Sequence, residues 1–324
     1  ATKLQERAAE HARVQEQASL RVIRQTADLV PVTRPTVYMQ AKGLQPPAGV
    51  MTDAMGEKTY IPATDANAKQ WTMQYIQEDG TKRFAKDSRK EGCFHAVGGL
   101  EALAKAPALV ISEGYATAGS LSQTLGFATV AAFDSGNLVQ VAKDLNKRFP
   151  DKPIIIAGDD DKHLEVTQGA NPGRSKAEEA AKAVGGVVLL PIFAPGEATY
   201  PHGLPLVTPQ SYRQHLSVTK TLDDAQQEPE HGRLTEQKTA ELKNSQLSAA
   251  QLSALSAMKR HTDFNDLATK SELGQDAIHR QVNSIVDAVI EKHQAKIEQQ
   301  ERRQVQESVR EQQQERPRRV AKIR

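Results

Sequence analysis

Between residues 107 and 193 four short apolar runs punctuate the chain: "PALVISEG", "FATVAAFD", "KPIIIAGD" and "GVVLLPIF". The stretches separating them, "ATAGSLSQTLG", "NLVQVAKDLNKRF" and "RSKAEEAAKAVGG", place their apolar residues at helical spacing. Strands that read as continuous apolar runs are buried on both faces. Their alternation with helices of about 10–13 residues predicts a parallel sheet covered by crossover helices. Right-handed crossovers bring the C-terminal ends of all four strands to one edge, where such sheets bind ligands.

The flanking segments follow other rhythms. Residues 1–29 are rich in Ala, Glu, Gln and Arg with apolar positions at Leu20, Val22, Ile23 and Leu29, which predicts a helix with one narrow apolar face ending before Pro31. "WTMQYIQEDG" alternates up to an Asp-Gly turn and resumes as "TKRFAK", which predicts a β-hairpin, with "TYIPA" as a further strand of a small β unit. Residues 194–260 turn rich in Pro and then in Gln, Ser and Ala, and are expected to form a long excursion or linker with one helix near "SAAQLSALSAMKR". After "HTDFNDLA" an apolar face at Ile278, Val282, Ile285, Val286, Val289 and Ile290 gives way to polar sequence. The last 34 residues hold ten Lys/Arg and six Asp/Glu, and are expected to be a helix running off the globule or a disordered tail.

Composition narrows the function classes. Of 324 residues 42 are Lys or Arg and 40 Asp or Glu, a net +2 that says little about nucleic acid, because binding depends on where charges sit. No apolar run approaches the roughly 18–20 residues that span a bilayer, so no membrane partner is expected. The opening "ATKLQERAAEH" has no apolar core of a secretory signal, and the expected location is the cytoplasm. Cys93 is the single cysteine: it can form no intramolecular disulfide, cannot furnish a structural zinc site, and is expected to be a small buried hydrophobe. The nine histidines lack metal-ligand spacing, and His163, His261 and His279 are expected at the surface.

Carboxylates stand where the parallel sheet would converge them. Glu113 ends the first strand in "VISEGYATA", with Gly114 allowing a tight turn into the next helix. Asp159, Asp160 and Asp161 end the third, and alternation aims Asp159 and Asp161 to one side. Each alone has a plainer reading, as a helix N-cap or a solvated loop carboxylate. Together, without His or Cys, they are hard oxygen donors suited to Mg²⁺ and phosphoryl chemistry.

The order "EGYATA", "AAFDSGN", "IIIAGDDD" and then "GRSKAEEAA" resembles a Toprim domain, the catalytic domain shared by DnaG-type primases, topoisomerases and certain nucleases. Within that superfamily it most resembles the primases of conjugative plasmids and related phages. "VYMQAKGL" and "YIPATDANAKQWTMQYIQEDGTKRFAKDSRKEGCFHAVGG" are similar to the small subdomain that precedes Toprim there, so the resemblance covers residues 34–193. "HTDFNDLA" is an outlying match to a DFND-type motif. The resemblance implies an α/β Toprim (Rossmann-like) fold with a four-stranded parallel sheet, a small β-rich N-terminal subdomain and helical terminal extensions. The implied division is a helical extension at 1–30, the β-rich subdomain at 31–100, Toprim at 101–195, a linker or insertion at 196–260, the DFND motif and helix at 261–290, and the charged tail at 291–324. It implies Glu113 as general acid/base or metal holder and Asp159 and Asp161 as the pair that coordinates Mg²⁺, with Mn²⁺ as an alternative. Asp160 becomes a solvated neighbour. Asp263, Asn265 and Asp266 form an accessory group near the metal or nucleotide, or else Asp263 simply caps the helix "DLATKSEL".

Around these carboxylates lie candidate phosphate partners. Lys82, Arg83, Lys86, Arg89 and Lys90, opposed only by Asp87, read as a cradle for a nucleoside triphosphate or template backbone, or as a solvated charged turn. Trp71, Tyr75, Phe84 and Phe94 either stack bases or form the core of the small β unit, and Tyr38 and Lys42 carry the same two readings. Asn171, Gly173 and Arg174 open a helix whose N-terminus either receives an anion or is an ordinary turn. The resemblance implies a primase that joins ribonucleotides into primers on single-stranded DNA in plasmid conjugation or replication, working with a relaxase, a helicase or other conjugation proteins. The alternatives are a Toprim nuclease and a non-catalytic single-stranded-DNA-binding or docking module of a larger conjugation protein. DnaG-type primases carry a Cys/His zinc module that one cysteine cannot build. A chain of this kind would therefore borrow template recognition from a partner, or be the C-terminal part of a relaxase or transfer protein.

Overall fold

The computed structural model describes residues 2–227 and 234–315. The N-terminal part comprises α1 (Thr2–Ala27), β1 (Val30–Pro31), α2 (Val37–Ala41), β2 (Met51–Thr52), β3 (Thr59–Thr64), β4 (Gln70–Ile76) and β5 (Lys82–Phe84). Its strands form an antiparallel sheet in sequence order. The β4–β5 connection is the Asp-Gly hairpin: Asp79 accepts the Thr81 N–H at 2.8 Å and Gly80 takes φ +82°, which a side chain would strain. The face of α1 that packs on this sheet is only in part the predicted one, keeping Val22 and, just past the helix end, Leu29. Ala18, Ser19 and Val22 are buried, with Val22 against Tyr60 and Met73, whereas Leu20 and Ile23 face solvent, because one turn of a 3.6-residue helix cannot aim 20, 22 and 23 the same way.

The second sheet holds β6 (His95–Ala96), β7 (Leu109–Ser112), β8 (Val130–Ala131), β9 (Ile154–Ala157) and β10 (Val187–Leu189) in the order β10-β9-β7-β8-β6. The four predicted runs pair in parallel. The fifth strand corrects the expected four-stranded parallel sheet: β6 adds antiparallel to β8, from a segment read as part of the small subdomain. A two-residue strand carries no periodicity, and β6 exists because the preceding residue, Phe94, bridges back to Thr64 and draws the chain across.

Helices cover both faces of this sheet. On one side α3 (Leu100–Lys105), α5 (Leu138–Arg148) and α7 (Pro172–Val184) bury Leu103, Val141, Leu145, Ala177 and Ala180 against Leu109, Ile111, Ile154 and Ile156. On the other, α4 (Tyr115–Leu125) is joined by two late elements, α11 (Phe264–Thr269) and α12 (Gly274–Glu315), whose Phe264, Leu267, Ile278, Val282 and Val286 lie with Val110 and Ile155. The apolar stripe read near the end of the chain is thus the lid of the sheet's second face.

A short α6 (Lys162–Gln168) lies between β9 and α7, and between the sheet and α11 come α8 (Pro209–Gln227), α9 (Glu236–Asn244) and α10 (Ala249–Lys259). The expected linker is therefore largely helical. Only Val218 of α8 is buried, so its pattern was too polar to read as a packed helix, while α10 is opened by a capping box of Ser248 and Gln251. Residues 228–233 of that segment and 316–324 of the charged tail lie outside the described residues. Up to Glu315 the tail is helix, and among the described residues no helix is long and apolar enough to cross a membrane.

Candidate functional site

Glu113 follows β7 immediately, and Gly114 is the N-cap of α4. Asp159, Asp160 and Asp161 follow β9 through Gly158, where a Cβ would stand 2.5 Å from the Ala177 Cβ. Glycine there lets α7 pack tightly on the strand end. Asp134 follows β8 at the same edge, after Phe133, whose φ of +74° is rare for a residue with a side chain. From the other side of the sheet comes Asp263, the N-cap of α11, which accepts the Asp266 N–H at 2.8 Å. The helix it opens begins at Phe264, not at Asp266 as "DLATKSEL" suggested.

These carboxylates feel one another. Burial, then Asp161 and Asp134, push Glu113 up to about 7, against a hydrogen bond from the Ser135 backbone. Asp159 is raised well above the carboxylate range by burial, then by Asp263, Glu113, Asp161 and Asp266. Asp263 is raised by burial and by Asp266, with the Asp266 N–H, Lys42 and Lys270 opposing. Asp159 Oδ1 is buried without a hydrogen-bond partner. An orphaned carboxylate oxygen among mutually repelling carboxylates is hard-donor chemistry, and Glu113, Asp159 and Asp161 fit a divalent ion by it. Among the described residues no three such side chains already close a ready-made coordination sphere.

The middle aspartate is not the solvated neighbour expected. Asp160 is buried, accepts from Asn171 Nδ2 at 2.7 Å and Arg174 Nη2 at 3.0 Å, and its N–H donates to the Thr262 carbonyl at 2.8 Å. Alternation that aims 159 and 161 into the crevice turns 160 inward, where only a paired charge is tolerated. Asp161 Oδ2 accepts the Gly173 N–H at 3.1 Å, so a carboxylate of the site itself occupies the N-terminus of α7. That helix end is thus engaged from within the site, and Arg174 commits one guanidinium nitrogen to Asp160. Asp266 is likewise engaged, by Lys270 Nζ at 2.5 Å and by Thr262, and Asn265 is fully buried, its Nδ2 bonded to the Lys42 carbonyl and Ser120 Oγ. His261, expected at the surface, is buried with Nδ1 against the Ala257 carbonyl at 2.8 Å.

The basic group divides. Alternation along β5 puts Lys82 and Phe84 on one face and Arg83 on the other. Lys82 is solvent-accessible at the rim. Crowding by surrounding protein and by Lys42 holds its ammonium below the ordinary lysine value, against the pull of Asp263, Asp159 and Glu113. Lys90 Nζ meets Asp134 Oδ2 at 2.5 Å and stands 5.5 Å from the Phe84 ring, which packs edge-on against Phe133 at 5.2 Å. Arg83 pairs with Tyr75 in the ladder, away from the carboxylates; Lys86 lies beside α1, its carbonyl accepting from Arg21; Arg89 stacks on Trp71 at 4.9 Å. The aromatics are mostly core: Phe94 is fully buried, Tyr75 packs on Tyr60, and Trp71 has Lys69 3.9 Å from its ring centroid besides Arg89. Two residues escaped the sequence reading, Asp134 and Asn137. Asn137 binds the Gly92 N–H (2.8 Å) and the Cys93 and Ala132 carbonyls (2.8 Å each), clamping the loop that carries Lys90 onto the sheet. The fragment "AAFDSGN" was the available signal.

The mixed α/β sheet carries a glutamate after one strand and a double aspartate after another, and residues 108–197, which span that part of the chain, match the Toprim domain family. Over 314 residues, 94% of this chain, the sequence is 59% identical to DNA primase TraC of Escherichia coli, and over 289 residues 62% identical to a second DNA primase TraC of Escherichia coli. The chain spans only 29% and 20% of the length of those two relatives. Among solved structures, the primase fragment of the bacteriophage T7 primase-helicase protein aligns at 17% identity with a TM-score of 0.31, covering 48% of this chain and 60% of that one.

Proposed function

We propose that the chain is the catalytic portion of a DNA primase that joins ribonucleotides on single-stranded DNA in plasmid conjugation or replication. The observation that carries this reading is the convergence of Glu113, Asp159, Asp161 and Asp263 at the edge of the sheet with Lys42 and Lys82 of the small β unit facing them. The similarity to DNA primase TraC supports it. Asp159 and Asp161, with Glu113, would hold Mg²⁺ or Mn²⁺, which when bound neutralises phosphate charge and favours the alkoxide of an attacking 3′-hydroxyl. Glu113, titrating near neutrality, is suited to take the hydroxyl proton at its carboxylate oxygen. Lys42 and Lys82 orient the triphosphate from the opposite wall, supplying the positive charge that carboxylates cannot. We read β10-β9-β7-β8 as the Toprim sheet, preceded by the β-rich subdomain and flanked by helical extensions. Within a longer polypeptide the partners are template, nucleoside triphosphates and other conjugation proteins such as a relaxase or helicase. The test is template-dependent primer synthesis with divalent ion and ribonucleoside triphosphates. Asp159→Ala with Asp161→Ala removes it, and full synthesis by that double variant overturns the assignment.

A further inference from the structure

We infer that Asn265, inside the DFND motif, is a positioning residue that acts through Lys42: it fixes the loop carrying that lysine and so sets where its ammonium meets a triphosphate opposite the carboxylates. The inference rests on the reading of Lys42 as a triphosphate partner and deepens it by assigning what holds the lysine in place. Asn265 comes from α11, 223 residues away in the sequence, yet its Nδ2 donates to the Lys42 carbonyl at 2.8 Å and to Ser120 Oγ of α4 at 2.9 Å.

The side chain is costly where it stands. Asn265 is fully buried and its Oδ1 has no hydrogen-bond partner. An apolar residue of similar size would suit that interior better, so the amide is there for its two donated bonds. The loop it holds is tied down residue by residue. Lys42 is the C-cap of α2, and Gly43 turns the chain at φ +63° with its carbonyl accepting from Gln123 Nε2 at 3.3 Å. The Leu44 N–H donates to the Met39 carbonyl at 2.9 Å, and its side chain fills a notch in α4, where a Cβ on Gly119 would stand 2.9 Å from Leu44 Cδ2. The Gln45 N–H donates to Gln123 Oε1 at 2.6 Å.

The helices that grip this loop are the ones that carry the acids. α4 starts directly after Glu113 and Gly114 and supplies Ser120 and Gln123, while α11 opens on Asp263 and supplies Asn265. The backbone of Lys42 is thereby fixed relative to both carboxylates, and only its own stem is left to adjust. Its ammonium is felt on both walls, opposing the rise of Asp263 and adding to the depression of Lys82. Tyr38, one turn earlier on α2, has Lys82 Nζ 5.7 Å from its ring centroid, so the placement of this short helix bears on both lysines. The motif reaches the acidic wall as well: Asp266 accepts the Thr262 N–H, and the Thr262 carbonyl accepts the Asp160 N–H at 2.8 Å. Asn265 is its member on the basic side.

The experiment measures the affinity of the whole chain for ATP with Mg²⁺ by calorimetry, and amide hydrogen exchange at residues 43–45, for wild type, Asn265→Ala, Lys42→Ala and the double variant. Asn265→Ala is expected to speed exchange at Gly43, Leu44 and Gln45 by about tenfold and to weaken ATP by about fivefold, whereas in the Lys42→Ala background it changes ATP affinity by less than about twofold. A residue that only supports the fold would weaken ATP equally in both backgrounds; that result overturns the proposal, as does unchanged exchange or unchanged affinity in the single variant. Gln123 is exposed, so Gln123→Ala decides the matter if Asn265→Ala does not fold. It removes the Gly43 and Gln45 bonds and is expected to weaken ATP by about twofold only where Lys42 is present, and wild-type affinity or an equal loss without Lys42 overturns the proposal. A Lys42→Ala chain that binds ATP as the wild type does removes the lysine from the reading and the proposal with it. ATP binding by the wild type without primer synthesis overturns the primase reading alone, because the binding comparison decides the role of Asn265 by itself.

Discussion

Asn137 shows how much a single polar side chain can hold. Its amide satisfies the Gly92 N–H and two carbonyls at the seam between the small β unit and the sheet. Asn137→Ala would leave these groups buried without partners and lower stability by about 3 kcal/mol, read as a shift of the urea midpoint; a change below about 0.5 kcal/mol would refute that role. His95 makes a pH prediction. Burial holds its pKa down to about 4, with Nδ1 donating to the Pro62 carbonyl. Between the unfolded value near 6.5 and the folded value the unfolded chain binds the extra proton. His95 therefore contributes full stability above about pH 6.5 and loses it as pH falls toward 4, by about 3 kcal/mol. His95→Gln would flatten that part of the stability profile. At this scale Glu113, Asp159 and Asp161 were legible only as a set, because each alone reads as a cap or loop carboxylate and their order along alternating strands and helices brings them to one edge. Asp134 was not, because its aim depends on the left-handed backbone of Phe133, which nothing in a phenylalanine announces.

Elements were legible in proportion to their apolar content. The four parallel strands and α4, α5 and α7 alternate in the sequence as in the structure, whereas β6 is too short for a pattern and α8 too polar. The contact between the end of β9 and the start of α7 rests on small residues: a Cβ on Gly173 would lie 2.6 Å from the Asp159 carbonyl and 2.8 Å from Asp161 Oδ2. Gly173→Ala must therefore push the two aspartates apart. The expected result is a stability loss of about 1–3 kcal/mol, as for overpacking elsewhere, with a larger proportional loss of divalent-ion affinity by calorimetry. Wild-type ion affinity in that variant would show that the loop yields without cost to the site.

At the scale of the molecule, α12 has two halves with different duties. Ile278, Val282 and Val286 close the second face of the sheet, while Val305 and Val309 lie exposed. Ending the chain after residue 299 should leave the thermal midpoint within about 2 °C, and ending it after residue 273 should abolish cooperative unfolding because the sheet face is stripped; a well-folded shorter chain would contradict this. Divalent ion is expected to raise the midpoint of the wild-type chain by relieving carboxylate repulsion, and to leave Asp159→Asn/Asp161→Asn unmoved. An equal rise in both would place the ion elsewhere.

The antiparallel β6 strand has a mechanical consequence. The chain leaves the small sheet at the Thr64–Phe94 bridge and enters the large one at the very next residue, His95, with Asn137 and the Lys90–Asp134 pair pinning the same spot. The small unit is sewn to the large sheet here and again through the common core in which Met39, Leu44 and Ile61 meet Tyr115 and Ala118, so the wall that carries Lys42 and Lys82 is braced on two sides and the width of the crevice is set by packing rather than by a free flap.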